Sequence, residues 1–366
     1  MNITFLIGNG FDLNLGLQTT YLDFIKYYKN LPTWDMQLRE FRLNINDNEK
    51  FWSTAEIALG QYTNQFEKGQ AEFFAKCQSD FCEQLVDYLE LQESRINFDD
   101  TSSLILKSFE KLNTIINSFP TNERYAIKEI YEKHKSEETR FNFISFNYTE
   151  TLDKCIEIVR KHPQALGKHT GQNNEKLHKV ASIVHVHGTV HENMVFGVND
   201  ESQISKPDIF DCEDGDLYKS LLIKQEANKT YAENTDSTTA AILNNSHLIY
   251  IYGMSIGATD QLWWNRICEW LSRNQDNHLI IQNYLMPKKS VMPTDYLRAT
   301  REKQREILSF SNLSTEKKEL IRQRIHITGD NIFSDISNIA NDINIQSDKN
   351  DSENVIVIDI GDKIHV

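Results

Sequence analysis

Ile3-Thr4-Phe5-Leu6-Ile7-Gly8-Asn9-Gly10-Phe11-Asp12 is an apolar run that meets a Gly-x-Gly turn. Five consecutive apolar or β-branched residues read as a strand covered on both faces. Gly8 and Gly10 carry no side chain, so backbone N–H groups there can approach an anion, and the following helix offers its positive end. A full dinucleotide fingerprint places a third glycine at position 13, which is Leu13 here. A plain tight turn therefore stands beside the nucleotide reading. Asn9 and Asp12, polar groups next to a buried strand, favour the second. On that reading Gly10→Val removes nucleotide binding and leaves the fold intact.

Further β-rich runs fall at residues 141–146, 183–186, 194–196, 248–252, 279–281, 325–327 and 355–360. Several are unbroken rather than alternating. Helical spacing fills 151–161, 217–231 and 261–273 between them, and this alternation predicts an α/β fold with a doubly wound, mostly parallel, Rossmann-like sheet. Residues from 21 to about 138 carry apolar positions at three-four spacing with almost no strand signal, with Asp100 or Thr101 as a cap and Pro120 as a break. They predict a large helical insertion that packs as one layer and walls the pocket. The α/β domain is expected over 1–343. Residues 344–366 are expected to form a polar linker and a C-terminal strand.

The 366 residues carry a net charge of -14, which disfavours broad nucleic-acid binding. Five scattered cysteines with no C-x-x-C pair suggest neither a disulfide framework nor a zinc knuckle. No apolar stretch reaches the roughly 20 residues of a membrane helix, and no basic segment leads into a long apolar one. A cytoplasmic protein is the expectation.

Four polar clusters stand where predicted strands end: Asn9 with Asp12; Ser145-Phe146-Asn147-Tyr148-Thr149; His185-Val186-His187-Gly188-Thr189; and Gly253-Met254-Ser255-Ile256-Gly257 with Asp260. In a parallel sheet these ends converge, and ligands bind there. Each cluster also has a structural reading. Asn147 can cap the next helix. A histidine can be satisfied inside a core. Gly253-x-Ser255 can be a left-handed turn with Ser255 as cap, and Asp260 can favour a helix N-terminus by charge. Gly188, directly after His187, permits close approach of a ligand. His185 shares a strand face with His187 and is expected beneath the site as support. Trp263 and Trp264 read as core. No acidic or cysteine partner stands at ligand spacing from the histidines, so no metal is expected.

Together the blocks Ile7-Gly8-Asn9-Gly10-Phe11-Asp12, Gly16-Leu17-x-Thr19-x-Tyr21-x-Asp23-Phe24, Phe146-Asn147-Tyr148-Thr149-x-x-Leu152, His187-Gly188, Phe196-Gly197 and Gly253-x-Ser255-x-Gly257-x-x-Asp260 resemble the AbiH family of bacterial abortive phage-infection proteins. By motif order they are also similar to the sirtuin-like fold that surrounds NAD, without the zinc-binding cysteine module of sirtuin deacetylases and with Phe11 where a small residue is usual. The resemblance implies an anti-phage effector that hydrolyses NAD or a related nucleotide at its N-glycosidic bond. Asn147 would orient water or ribose hydroxyls and His187 would act as base. Asp12 and Asn9 would bind ribose or amide groups, Gly8, Gly10, Gly253 and Ser255 would line the phosphates, and Gly188 and Asp260 would also contact the nucleotide. NAD enters as substrate. A phage-derived trigger, a partner defence protein and a homo-oligomer are possible associations, and no membrane is expected. A nucleotide sensor without catalysis is the alternative, as is a metal-dependent nuclease using Asp12 and Asp260.

Overall fold

The computed structural model describes residues 1–337 and 339, apart from 171–174, 231–234 and 258–259. Among the described residues eight strands form: β1 (Asn2–Ile7), β2 (Arg140–Ser145), β3 (Lys168–Thr170), β4 (Glu175–Leu177), β5 (Lys179–His185), β6 (Leu248–Tyr252), β7 (His278–Gln282) and β8 (Ile325–Thr328). Strands β3 and β4 make a small antiparallel hairpin. The other six form one parallel sheet in the order β5-β2-β1-β6-β7-β8. Counted within the sheet this is 3-2-1-4-5-6, the doubly wound order whose direction reverses between β1 and β6.

The opening run explains its central place. Ile3, Phe5 and Ile7 enter one core and Leu6 enters the other, all fully buried. The helices are α1 (Gly10–Leu15), α2 (Tyr21–Tyr28), α3 (Met36–Asp47), α4 (Glu49–Trp52), α5 (Ala55–Tyr62), α6 (Ala71–Glu93), α7 (Ser102–Glu110), α8 (Thr121–Lys133), α9 (Thr151–Lys161), α10 (Gly215–Leu222), α11 (Lys224–Thr230), α12 (Thr235–Asn244), α13 (Gln261–Arg273), α14 (Pro293–Ser309) and α15 (Thr315–Arg322). Helices α7, α8 and α9 cover the Phe5 face. Helices α12 to α15 cover the Leu6 face, with Trp263 and Trp264 in that core.

Residues 21–138, all described, contain no strand, but they do not pack as one layer. Helices α2 to α6 build a third core of their own around Phe24, Phe41, Trp52, Phe74 and Phe81, completed by Val190, Phe196, Ile209 and Leu222 from much later in the chain. Helices α7 and α8 instead serve as an ordinary crossover onto the sheet. The apolar run at 194–196 is not a strand; Val195 and Phe196 plug the helical core as irregular chain. The helix expected over 217–231 breaks at Ile223, which takes extended geometry and bridges Val198. Thr101 occupies the first-turn boundary of α7, but its hydroxyl donates to the Asn97 carbonyl and caps nothing. The C-terminal strand expected at 355–360 lies outside the described residues, as does the 344–366 segment. Among the described residues no helix is long and apolar enough to cross a membrane.

Candidate functional site

The turn after β1 lands against the turn after β6. The Gly8 N–H donates to the Tyr252 carbonyl at 2.9 Å and the Gly10 N–H to the Gly253 carbonyl at 2.8 Å. A Cβ on Gly10 would lie 2.4 Å from the Gly253 Cα, and Gly253 itself is left-handed at φ +67°. This corrects the expected role of the glycines. Gly8 and Gly10 spend those N–H groups on the sheet junction, and their missing side chains let two backbones touch. Gly10→Val therefore attacks the fold, contrary to the reading that it spares it. Gly188 is likewise left-handed, and a Cβ there would meet the Asn193 carbonyl at 2.1 Å. The close approach it permits is by its own chain.

Beside this junction, at the carboxyl ends of β1 and β2, lies a cavity of about 110 Å³. Asn9, Asp12, Thr19, Tyr21, Leu85, Leu89, Phe146, Asn147, Tyr148 and Thr149 line it. Asn9 is anchored: its Nδ2 donates to the Thr19 carbonyl and its Oδ1 accepts from the Thr19 hydroxyl. Asp12 is buried on α1 and accepts from the hydroxyls of Thr149 at 2.6 Å and Thr151 at 2.5 Å. Burial pushes its pKa up to about 6, which the two hydroxyl donors only partly oppose.

Asn147 differs from both. It is 6% exposed, and neither its Oδ1 nor its Nδ2 has a hydrogen-bond partner. It is no helix cap, because α9 starts at Thr151 with Glu150 in the cap position. Its backbone is held from both sides. The N–H donates to the Ser145 hydroxyl, and the carbonyl accepts from His185 Nδ1 at 3.0 Å. His185 Nε2 pairs with Asp153 at 2.8 Å. Burial pulls the His185 pKa down, but Asp153 and the Asn147 carbonyl more than offset this and raise it. His185 thus links the Asn147 carbonyl to Asp153 on α9.

His187 is buried between the rings of Phe146 and Tyr148, at centroid distances of 5.9 and 6.4 Å. Its Nδ1 has no partner. Burial, reinforced by the nearby Lys224 ammonium, holds its pKa well below the ordinary histidine value, so the ring is neutral. It is not among the residues lining the cavity with Asn147. Ser255 is exposed and caps no helix, since α13 begins at Gln261 behind Asp260. Asp260 therefore holds the cap position, with no side-chain capping hydrogen bond.

The family model for bacteriophage abortive infection AbiH matches residues 4–282, from β1 through β7. The chain belongs to the AbiH family. Its role is accordingly in bacteriophage abortive infection. No curated protein matches the chain. The AbiH match contains both the glycine junction and the Asn147 cavity, so the family's sequence pattern covers the whole candidate site.

Sequence reasoning missed the wall behind this cavity. The hydroxyls of Tyr21 and Tyr148 each lie 3.1 Å from Glu56 Oε1, and Lys224 Nζ lies 2.7 Å from Glu56 Oε2. Their side chains come from α2, the turn after β2, α5 and α11. Nothing in their spacing announces the cluster, because helix glutamates and lysines ordinarily read as a solvated face.

Proposed function

We propose that this AbiH protein acts in abortive infection by hydrolysing NAD or a closely related nucleotide at the N-glycosidic bond, within the cavity lined by Asp12 and Asn147. The observation that carries the reading is the Asn147 amide. An unsatisfied buried polar group costs about 1–3 kcal/mol, and folded proteins satisfy nearly all of them. Two such atoms on one side chain facing a cavity are a binding group held ready for a ligand.

The lining also suggests which part of the nucleotide enters. It has one carboxylate, two amides, hydroxyls and three aromatic rings, and no lysine, arginine or histidine. A neutral or cationic end suits such a surface, and phosphates do not. About 110 Å³ is below the roughly 300–1,000 Å³ of a pocket for a whole drug-sized ligand. The nicotinamide–ribose end fits this description, with the phosphates left outside.

Hydrolysis breaks the bond between the anomeric carbon and the pyridinium nitrogen. Nicotinamide leaves with the bonding pair, and water adds to the oxocarbenium-like centre and loses a proton. Asn147 orients the water or the ribose hydroxyls. Asp12 is better placed to accept the proton than His187, because it lines the cavity and its pKa of about 6 is closer to neutrality. The test is nicotinamide release from NAD by the purified protein and by Asn147→Ala, Asp12→Asn and His187→Ala. Loss of about 10²-fold or more in the first two is expected. Equal release by Asn147→Ala and wild type would remove the cavity from the reaction. One observation favours a sensor instead: both Asp12 oxygens and the whole Asn9 amide are already bonded internally. Intact NAD that nevertheless raises the unfolding temperature would establish that reading.

A further inference from the structure

Glu56 and Lys224 form a buried ion pair, with side chains 12% and 5% exposed. Neither lines the cavity. A buried pair is seldom the most stable way to fill such a space, since an apolar pair of the same volume is often equal or better. What distinguishes this one is its other partners. One oxygen of Glu56 faces Lys224, and the other receives the hydroxyls of both cavity tyrosines. Tyr148 lies 3.2 Å from the Val195 carbonyl as well. The two rings also share a neighbour, Phe196, at 5.9 and 6.5 Å. Each tyrosine is thus fixed at its tip by the carboxylate and contacts one shared phenylalanine, Tyr21 in a T-shaped arrangement and Tyr148 in a tilted one.

Lys224 opens α11, which is held at two places. Its N–H donates to the Val198 carbonyl at 2.8 Å, and the Asn228 side chain reaches the Val186 carbonyl, one residue before His187. The carboxylate of Glu56 is therefore the point at which α2, the turn after β2 and α11 meet.

We propose that Glu56 is a positioning residue of the cavity: with Lys224 as its counter-charge, it holds the Tyr21 and Tyr148 rings as a rigid aromatic wall for the planar end of the ligand. The chemistry of the ligand rests on the reading of the cavity as an NAD-cleaving site; the clamp itself rests on the hydrogen bonds. A wall displaced by about 1 Å is enough to cost roughly 10²-fold in rate, which is the scale on which such a clamp acts.

The test separates charge from geometry. Glu56→Gln/Lys224→Met removes both charges and keeps an acceptor oxygen for the tyrosines. Glu56→Ala/Lys224→Met removes the charges and the acceptor. NAD turnover is expected to fall by about 10–100-fold in the alanine double variant, and to return toward wild type in the glutamine one. Fluorotyrosine labelling gives a ligand-free readout. The ¹⁹F lines of Tyr21 and Tyr148, assigned with Tyr→Phe variants, should be single and sharp in wild type and in the glutamine variant. They should shift or broaden in the alanine variant. Equal turnover and unchanged lines in the two double variants overturn the clamp and leave the NAD reading standing. A wild type that does not cleave NAD, together with tyrosine lines that shift or broaden in the alanine variant alone, ends the NAD reading and leaves the clamp in place.

Discussion

The glycine junction between β1 and β6 and the corner after β2 are neighbours at the carboxyl edge of one sheet, and they treat polar groups in opposite ways. At the junction the Gly8 and Gly10 N–H groups have carbonyl partners, and two backbones fill the space that a side chain would take. At the corner a complete amide and an imidazole nitrogen are buried without partners. The first arrangement is optimised for folding, and the second leaves binding capacity unspent. A glycine pair that reads as a phosphate cradle is here a means of closing the sheet, and the chemically open group is an ordinary-looking asparagine, Asn147, two positions beyond the end of β2.

Three substitutions break or sharpen this contrast. Gly10→Val has the largest effect, because the added carbon meets Gly253 backbone rather than a flexible side chain. Overpacking of this kind costs about 3 kcal/mol or more, read as a fall in the urea midpoint at unchanged slope. A folded variant of wild-type stability would mean that the junction is loose. Asp12 comes next. Its pKa of about 6 lies above the unfolded value of 3.8. Between these values the folded state holds a proton that the unfolded state has lost, so this contribution to stability is present below pH 4 and is lost as pH rises through 6. The stability of Asp12→Asn relative to wild type should therefore rise by about 3 kcal/mol from pH 4 to 7. A pH-independent difference would show that the carboxylate is solvated. The smallest effect has the opposite sign from a usual core substitution. Asn147→Leu removes two unpaired polar atoms and should raise stability by about 1–2 kcal/mol while abolishing nicotinamide release. A loss of stability would mean that the amide has a partner in solution.

The sheet was legible because its strands are apolar on both faces, and Ile3-Thr4-Phe5-Leu6-Ile7 could hardly be placed elsewhere. Helices over 151–161 and 261–273 were legible from periodicity, and α3, α12, α14 and α15 were not singled out. The run at 194–196 misled because burial, not pairing, selects its residues: Val195 and Phe196 are buried in a helical core that the sequence shows only as scattered aromatics. Asn147 and Asp12 were visible as polar residues at strand ends. Glu56 and Lys224 were not, because 168 positions separate them and only tertiary packing turns two surface-type residues into a buried pair. Whether a helix satisfies Asn147 likewise depends on where α9 starts, and it starts at Thr151, with Glu150 in the cap position.

The way the cores are stitched together has a consequence during synthesis. Strand β1 pairs with residues 140–145 on one side and 248–252 on the other, and the core of α2 to α6 waits for Phe196 and Leu222. A ribosome-bound chain that has emerged only to residue 200 thus has its central strand open along one edge and its helical core unfinished. Non-local closures of this kind are slow, and they come late. The lining of the cavity ends at Thr149, so an interrupted translation product can carry every lining residue while its sheet and its helical core are both still open.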